Sequence, residues 1–562
     1  RKPFMGFRVS RKDFITPRCS AARPAGVDVP RYVRAVRDGR FDEAVAVLRE
    51  RLPLPTVCAD ACFAPCEDVC AYKQFGDPIA IRALKRAAMD KGGDGWLSNR
   101  KKTPPSGKKV AIIGAGPAGL TAAYYLASLG HEATLIDSLP KPGGTMRYGI
   151  PKYRLPEARL DKDIEVILEM GVRFQGDTQV GQDVTLEEIK QDYDAVFIAV
   201  GASASAKIPV EGTEKSGVYW GLDFLRGVVL GMAAPIGSEV AVIGGGNVAI
   251  DVALTARRLG AKKVNLFCLE AREEMPAHPF EITLAEEEGI VINNQWAPVK
   301  IVGAAKVAGV KLKRCLAVFD QDGKFNPVYD EETTEKVSAD TVILAIGQTP
   351  VLNFVETTPM NLNENRVAVS EDQLSTSVRG IFAGGDVVTG PASIISAIAQ
   401  GRKAAGAIDK FLGGQGDVSE TLAAPEDIVE LEEYIPLVEP RRDLPHLQAW
   451  ESVLDFEHVE LPMTDPDIKA EASRCLNCDA RKFEVVIARE NCKECGYCAE
   501  VCGVGTFVPS AGFTQKGYRP MEVKSSEHCV RCFKCYFVCP DFAIDVKEVI
   551  KDMAPKNQGE TI

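Results

Sequence analysis

The sequence predicts a multidomain α/β chain: a helical N-terminal domain, two nested Rossmann-like α/β domains and a small α+β tail. Three observations carry this. From Val110 onward, short apolar runs ending in glycine alternate with helical patterns, as parallel doubly wound sheets require. Two glycine fingerprints lie about 130 residues apart, a separation that fits one nucleotide domain inserted into another. The cysteines crowd the two ends, with only Cys268 and Cys315 in the long middle. At about 150 residues per domain, 562 residues allow three or four domains.

Composition narrows the function. A net charge of −11 with no basic stripe disfavours nucleic acid. Fifteen of the seventeen cysteines sit in tight groups near the two ends, which points to metal ligation in a reducing, cytoplasmic compartment rather than a disulfide framework. No signal-peptide pattern opens the sequence, which begins at Arg1. Val110–Gly130 is uncharged and long enough to span a bilayer. Its glycines and proline read instead as a buried strand, a turn and an apolar helix, so no membrane span is expected. His131, His278, His446, His458 and His528 form no cluster and are assigned no role.

Residues 1–105 show apolar spacing for helices near Val29–Val36 and Phe41–Leu48. The Pro-bearing stretch KKTPPSGKK closes this domain. Residues 106–205 and 345–412 form the first nucleotide domain, and 206–344 the inserted one. Residues 413–470 read as a linker and 471–562 as the cysteine-rich tail.

The first fingerprint is Gly114-Ala-Gly116-Pro117-Ala118-Gly119, between a strand and a helix. Its glycines allow a tight turn, close approach of a pyrophosphate and helix–strand packing, and the helix N-terminus faces the anion. Asp137 ends the next strand, where the ribose-binding acid belongs. The second is Gly244-Gly-Gly246-Asn247-Val248-Ala249, with Glu270 in the acid position. A 2′-phosphate there would meet a negative charge, which favours NAD over NADP. The rival reading leaves Glu270 on the surface and gives a phosphate to Arg257, Arg258 or Arg272.

Two fingerprints need two nucleotides, one held permanently and one exchanging. FAD is placed at the first by the loop Pro142–Gly149, by the strand ending in Gly385-Asp386, and by a helix start near Ala392 and Ile394. Its expected contacts are Gly114, Gly116, Pro117, Ala118, Gly119, Asp137, Gly144, Arg147, Gly385, Asp386, Ala392 and Ile394. The nicotinamide contacts are Gly244, Gly246, Asn247, Val248, Ala249 and Glu270. No acid–base residue is expected, because the cofactors carry the chemistry.

The tail reads Cys492-x2-Cys495-x2-Cys498-x3-Cys502, then Cys529-x2-Cys532-x2-Cys535-x3-Cys539-Pro540. This is the two-cluster bacterial ferredoxin pattern, in which each fourth cysteine serves the other cluster. Cys492, Cys495, Cys498 and Cys539 are expected on one 4Fe–4S cluster, and Cys529, Cys532, Cys535 and Cys502 on the other. Gly503 stands where proline usually follows. Zinc is the rival metal, but structural zinc sites favour paired CxxC units.

GAGPAGL, KPGGTMRYGIPKYRLP, IGGGNVAIDVALTARRLGA, REEMPA and GIFAGGDVVTGPASIISAIAQGRKAA together resemble the small subunit of glutamate synthase. The resemblance spans about residues 15–410. It extends to the N-terminal half of dihydropyrimidine dehydrogenase and to the large subunit of NADH-dependent reduced ferredoxin:NADP oxidoreductase. It implies FAD at the first fingerprint, nicotinamide at the second, and a helical N-terminal domain with two 4Fe–4S clusters. Members using NADPH usually carry two arginines where this chain has Leu269-Glu270.

The N-terminal cysteines depart from that family. Arg23 stands where a second cysteine follows Cys19, and the upstream CxxC is missing; a similar unit occurs at Cys475 and Cys478. Cys58, Cys62, Cys66 and Cys70 are therefore expected on one cluster. Cys19, Cys475 and Cys478 are expected on a second metal site with its fourth ligand unassigned. The alternative makes Cys19 the fourth ligand of the first cluster and leaves Cys58 free. Cys268 and Cys315 are expected as buried thiols.

The function expected is electron transfer between NAD(H) and ferredoxin or a redox partner subunit, with electron bifurcation as one setting. A glutamate synthase small subunit is the alternative, and it leaves the tail clusters unexplained. A non-enzymatic electron store is a third reading, disfavoured by two intact nucleotide sites.

Overall fold

The computed structural model describes residues 7–549 except 102, 233–234, 356–357 and 432–437. The N-terminal domain is helical. α1 (Val29–Arg37) starts at Asp28, whose carboxylate accepts from the Arg31 amide, with Pro30 in the first turn; both are favoured helix starts. α2 (Phe41–Arg49), α3 (Pro55–Ala61) and α4 (Ile81–Lys91) follow. Leu48, Leu52, Leu54 and Val57 share one continuous core with Leu120, Ile164 and Ile167 of the next domain. The helical domain thus seals itself against its neighbour rather than around a separate core.

The first α/β domain runs β1 (Lys109–Ile113), α5 (Pro117–Ser128), β2 (Glu132–Ile136), α6 (Glu157–Leu168), β3 (Arg173–Gln175) and β4 (Ala195–Ile198). The uncharged run of the sequence is β1 and α5. Val110 and Ile112 enter the core shared with the helices, while Ala111 and Ile113 enter another. That is the period of two of a strand covered on both faces.

The chain then leaves for the inserted domain. It contains β5 (Val218–Trp220), β6 (Glu239–Ile243), α7 (Asn247–Arg258), β7 (Lys263–Phe267), α8 (Pro279–Glu287) and β8 (Val291–Asn293). The antiparallel β9 (Trp296–Val302), β10 (Gly309–Phe319) and β11 (Phe325–Val337) precede β12 (Thr341–Leu344). The parallel order is β8-β7-β6-β12-β5. The chain returns with β13 (Ile381–Ala383) and α9 (Ile394–Phe411). β13 completes the first sheet in the order β13-β4-β1-β2-β3. One nucleotide domain is therefore inserted in the other.

The 413–470 segment, expected as a linker, is a strap on the N-terminal helices. Its strand Ile428–Leu431 pairs antiparallel with Phe7–Ser10, and Glu426 bonds Arg34. Arg441 pairs with Glu67 at 2.7 Å, and Arg82 with Glu460 at 2.5 Å. α10 (Asp465–Ser473) then carries the chain to Cys475. In the tail, Phe483–Ile487 pairs with Ile544–Glu548, and Phe507–Pro509 with Met521–Val523, both antiparallel. Among the described residues, no helix is long and apolar enough to cross a membrane.

Candidate active site and cysteine cavities

One cavity of about 1790 Å³ is lined by both fingerprint loops, larger than the roughly 300–1,000 Å³ of a typical single-ligand site. On the first side it meets Gly114, Gly116, Pro117, Ala118, Asp137, Gly144, Gly385, Asp386, Ala392 and Ile394. A Cβ on Gly119 would lie 1.9 Å from the Gly114 carbonyl oxygen; this glycine lets α5 close on β1 and does not line the cavity. A Cβ on Gly116 would meet nothing nearer than 3.9 Å, so this loop presents open backbone to a pyrophosphate. Asp137 accepts from the Ala115 and Leu139 amides at 2.7 and 2.9 Å, which fixes the loop. Burial pushes the Asp386 carboxyl up to about 6. The walls fit a dinucleotide such as FAD.

Arg147 does not fit its expected role. It is buried, with Nε donating to Pro142 O at 2.7 Å and Nη2 to Asp161. It pins the glycine loop from behind and is absent from the cavity wall. Arg226 lines the wall instead.

On the second side the cavity meets Gly244, Gly246, Asn247, Val248 and Glu270, while Ala249 packs in the core. A Cβ on Gly245 would come within 2.6 Å of Glu270 Oε2, so this carboxylate rests on the fingerprint loop. Burial raises it above its ordinary pKa. The three arginines of the rival reading each have a partner in this structure. Arg258 pairs with buried Glu288, Arg272 pairs with Glu286 at 2.6 Å, and Arg257 bonds Ala261 O at 2.8 Å.

Sequence reasoning missed a charged group between the two sides. Arg154 holds Asp251 at 2.7 Å and also Glu281, and all three line the cavity. Burial pushes Glu281 up to about 7, against Arg154 and with Asp251. The segments YGIPKYRLP, IGGGNVAID and REEMPAHPFE carried these residues, but no local spacing marks charges that meet only across domains. His278, assigned no role, stacks on Phe63 with centroids 5.3 Å apart and on Phe280 at 6.0 Å. It lines the cavity with His446 and Cys62.

Twelve of the cysteines line small cavities, and among the described residues no three metal-binding side chains close on one point as for a single ion. Cys492, Cys495, Cys498 and Cys539 line one cavity, and Cys502, Cys529, Cys532 and Cys535 another. Gly503 packs against Gln74, so a larger residue would displace that side chain.

The N-terminal grouping differs from expectation. Cys19, Cys475 and Cys478 share a cavity with Cys70, not with a missing ligand. The Cys19 thiol is raised by burial, then by Cys478, Cys475 and Cys70. Of the expected set of Cys58, Cys62, Cys66 and Cys70, only Cys70 lines this cavity. The run is not one helix: α3 stops at Ala61, Cys62 is extended, and Ala64 has φ 54°. Fully buried Glu471 brings in Cys475 by accepting from the Ala80 amide at 2.7 Å and from Arg474 at 2.6 Å. Cys529 also lines this cavity, which places it beside the tail. Cys268 and Cys315 are buried at 2% and 1% exposure.

Two fingerprint loops in one cleft, backed by thiols in fours, define an iron–sulfur flavoprotein oxidoreductase. Comparison with known proteins agrees. The chain belongs to the pyridine nucleotide-disulphide oxidoreductase family, whose pattern matches residues 102–401. Residues 13–94 match dihydropyrimidine dehydrogenase domain II, 4Fe-4S cluster. The NADP(+)-dependent formate dehydrogenase subunit beta of Moorella thermoacetica is 38% identical over 505 residues, 83% of this chain and 71% of that one. The NADPH-Fe(3+) oxidoreductase subunit beta of Geobacter sulfurreducens is 35% identical over 510 residues, 83% and 75% of the two chains. The glutamate synthase (NADPH) small chain of Escherichia coli K12 is 33% identical over 418 residues, 70% and 89%. The resemblance read from the sequence stands.

Proposed function

We propose that this chain is the NAD(H)-binding subunit of a larger redox assembly, relaying electrons between the dinucleotide and a partner subunit or ferredoxin. The observation that carries the reading is the single cavity lined by both fingerprints, which reaches the N-terminal domain at Cys62. FAD held on Gly114–Gly119 supplies two-electron exchange with a nicotinamide and one-electron exchange with clusters. The two fingerprint loops would hold the two dinucleotides in one cavity, with Asp386 and Ile394, the first residue of α9, on the wall of the flavin side. Arg154 ties the inserted domain to the first across the cleft.

Beyond the cavity, Cys19, Cys70, Cys475 and Cys478 would hold one 4Fe–4S cluster. The tail cysteines would hold two more, grouped as their cavities suggest. The cavity shared by Cys19 and Cys529 supports electron passage from the N-terminal domain to the tail. A reducing cytoplasmic setting fits seventeen cysteines, none in a disulfide. The relatives carry beta-subunit and small-chain names, which supports a partner subunit as the terminal reactant.

Those names also carry NADP(+) or NADPH, yet Glu270 favours NAD(H) here. A carboxylate bonding ribose hydroxyls contributes about 1.5–3 kcal/mol, roughly 10- to 150-fold. Steady-state reduction of a dye by NADH and NADPH tests this. Glu270→Gln should lower kcat/KM for NADH by about that factor and narrow the gap to NADPH. A wild-type chain that prefers NADPH would overturn the assignment.

A further inference from the structure

The position after Cys502 departs from the usual two-cluster pattern, with Gly503 where proline is common. That glycine has two neighbours from the other end of the chain. Arg18 donates from Nη1 to the Gly503 carbonyl at 3.1 Å. The Gln74 side chain lies against the Gly503 backbone, so close that a Cβ at 503 would come within 2.1 Å of its amide nitrogen. Each neighbour is tied to a cysteine of the N-terminal site. Arg18 and Cys19 open the short helix Arg18–Ala21. Gln74 ends the turn Ala71–Gln74, which Cys70 caps. Cys19, Cys70 and Cys502, from two different cavities, therefore flank one contact.

The cavity walls repeat it. Cys529 lines both the cavity of Cys19, Cys70, Cys475 and Cys478 and that of Cys502, Cys532 and Cys535. Gln74 enters the second of these walls. The wall around Cys492, Cys495, Cys498 and Cys539 is drawn wholly from residues 487–544. Of the seventeen cysteines, all of them described, only Cys495 is exposed. The two tail sites are thus not equivalent. One is built against the N-terminal domain; the other takes no wall from it and reaches the surface.

We propose that Gly503 is the joint that seats the tail on the N-terminal domain and so fixes the order of the tail clusters. The cluster on Cys502, Cys529, Cys532 and Cys535 is the inner one, exchanging electrons with the Cys19, Cys70, Cys475 and Cys478 site. The cluster on Cys492, Cys495, Cys498 and Cys539 is the outer one, exchanging them with a redox centre of the partner subunit at the Cys495 face. Each step moves one electron and no atoms: one cluster is oxidised as its neighbour is reduced. Arg18, Gln74 and Gly503 are positioning residues, acting through the ligand-bearing turns they touch.

This inference rests on the relay reading, and its test separates the two. The full chain, purified anaerobically with its clusters, is reduced stepwise and followed by electron paramagnetic resonance. Cys478→Ser, Cys532→Ser and Cys495→Ser each assign one signal by shifting it. Dipolar splitting between paramagnetic clusters falls as the cube of their separation, so it reports which are neighbours. The signal shifted by Cys478→Ser should be split by the one shifted by Cys532→Ser, and more weakly by the one shifted by Cys495→Ser; the reverse order would overturn the assignment. Gly503→Ala displaces only the amide end of Gln74 and should keep the splitting. Gly503→Trp should lose it while the iron content stays that of wild type. If Gly503→Trp does not assemble its clusters, the double variant Arg18→Ala/Gln74→Ala decides, with a reduced splitting expected. Unchanged splitting in the deciding variant would overturn the joint. Clusters that split one another in the expected order, yet stay oxidised while NADH bleaches the flavin, would overturn the relay and leave the inner and outer order standing.

Discussion

Asp163 is where the flavin domain grips the cysteine-bearing helix. From α6 it accepts from Arg49 Nη2 at 2.7 Å, the Thr56 amide at 2.8 Å, Thr56 Oγ1 at 2.9 Å and the Val57 amide at 3.1 Å. Both Arg49 and Asp163 are 0% exposed. Asp163→Ala leaves a buried guanidinium unpaired and strips the first amides of α3, which carries Cys58. Breaking a buried pair from one side costs about 3–5 kcal/mol, a large share of the roughly 5–15 kcal/mol that holds a domain. At about 2–4 °C per kcal/mol for a unit of this size, the holoprotein should melt about 6–20 °C lower. Flavin fluorescence and cluster absorbance should be released together. The double variant Arg49→Met/Asp163→Leu removes both charges and should recover more than half the loss, since apolar replacement of a buried pair is often neutral. It will not recover all, because the α3 amides stay unpaired at about 1 kcal/mol each. A shift below about 2 °C, or a double variant no better than the single, would refute this reasoning.

Other outcomes follow from the same geometry. Cys70→Ser and Cys478→Ser should abolish the same paramagnetic signal, and Cys58→Ser should leave that signal in place; its loss in both Cys70→Ser and Cys58→Ser would restore the undivided run of four. His458 lies against Arg86 at 3.3 Å, and burial followed by that cation lowers its pKa from 6.5 to about 4. The unfolded chain therefore takes up a proton at this site before the folded one. The stability it contributes is complete above pH 6.5 and is lost as the pH falls toward 4. His458→Gln should flatten that part of the melting-temperature profile, and an unchanged profile counts against it.

The fingerprints were legible because each is a contiguous strand–turn–helix whose residues act within one turn of chain. The tail cysteines were legible for the same reason. What escaped depends on segments meeting in space. Cys70 lines a cavity with Cys19 and Cys475, where the left-handed Ala64 and a short helix at Pro65–Asp68 turn the run away from α3. Arg147 sits in a flavin-type loop, yet Asp161 draws it to the far side. The 413–470 strap looked like a solvated linker because Glu426, Arg441 and Glu460 are charged. Their partners Arg34, Glu67 and Arg82 lie more than 350 residues earlier, beyond any periodicity. Glu281, at 3% exposure, reads in sequence as an ordinary helix-surface acid.

The central claim is that one chain joins a nicotinamide site to iron–sulfur clusters through a flavin. Anaerobic titration of the purified chain with NADH, following the flavin and cluster absorption bands together, tests it most directly. The account predicts that both bands bleach with NADH, and more slowly with NADPH. Flavin bleaching that never reaches the clusters, or no bleaching with either dinucleotide, would contradict it.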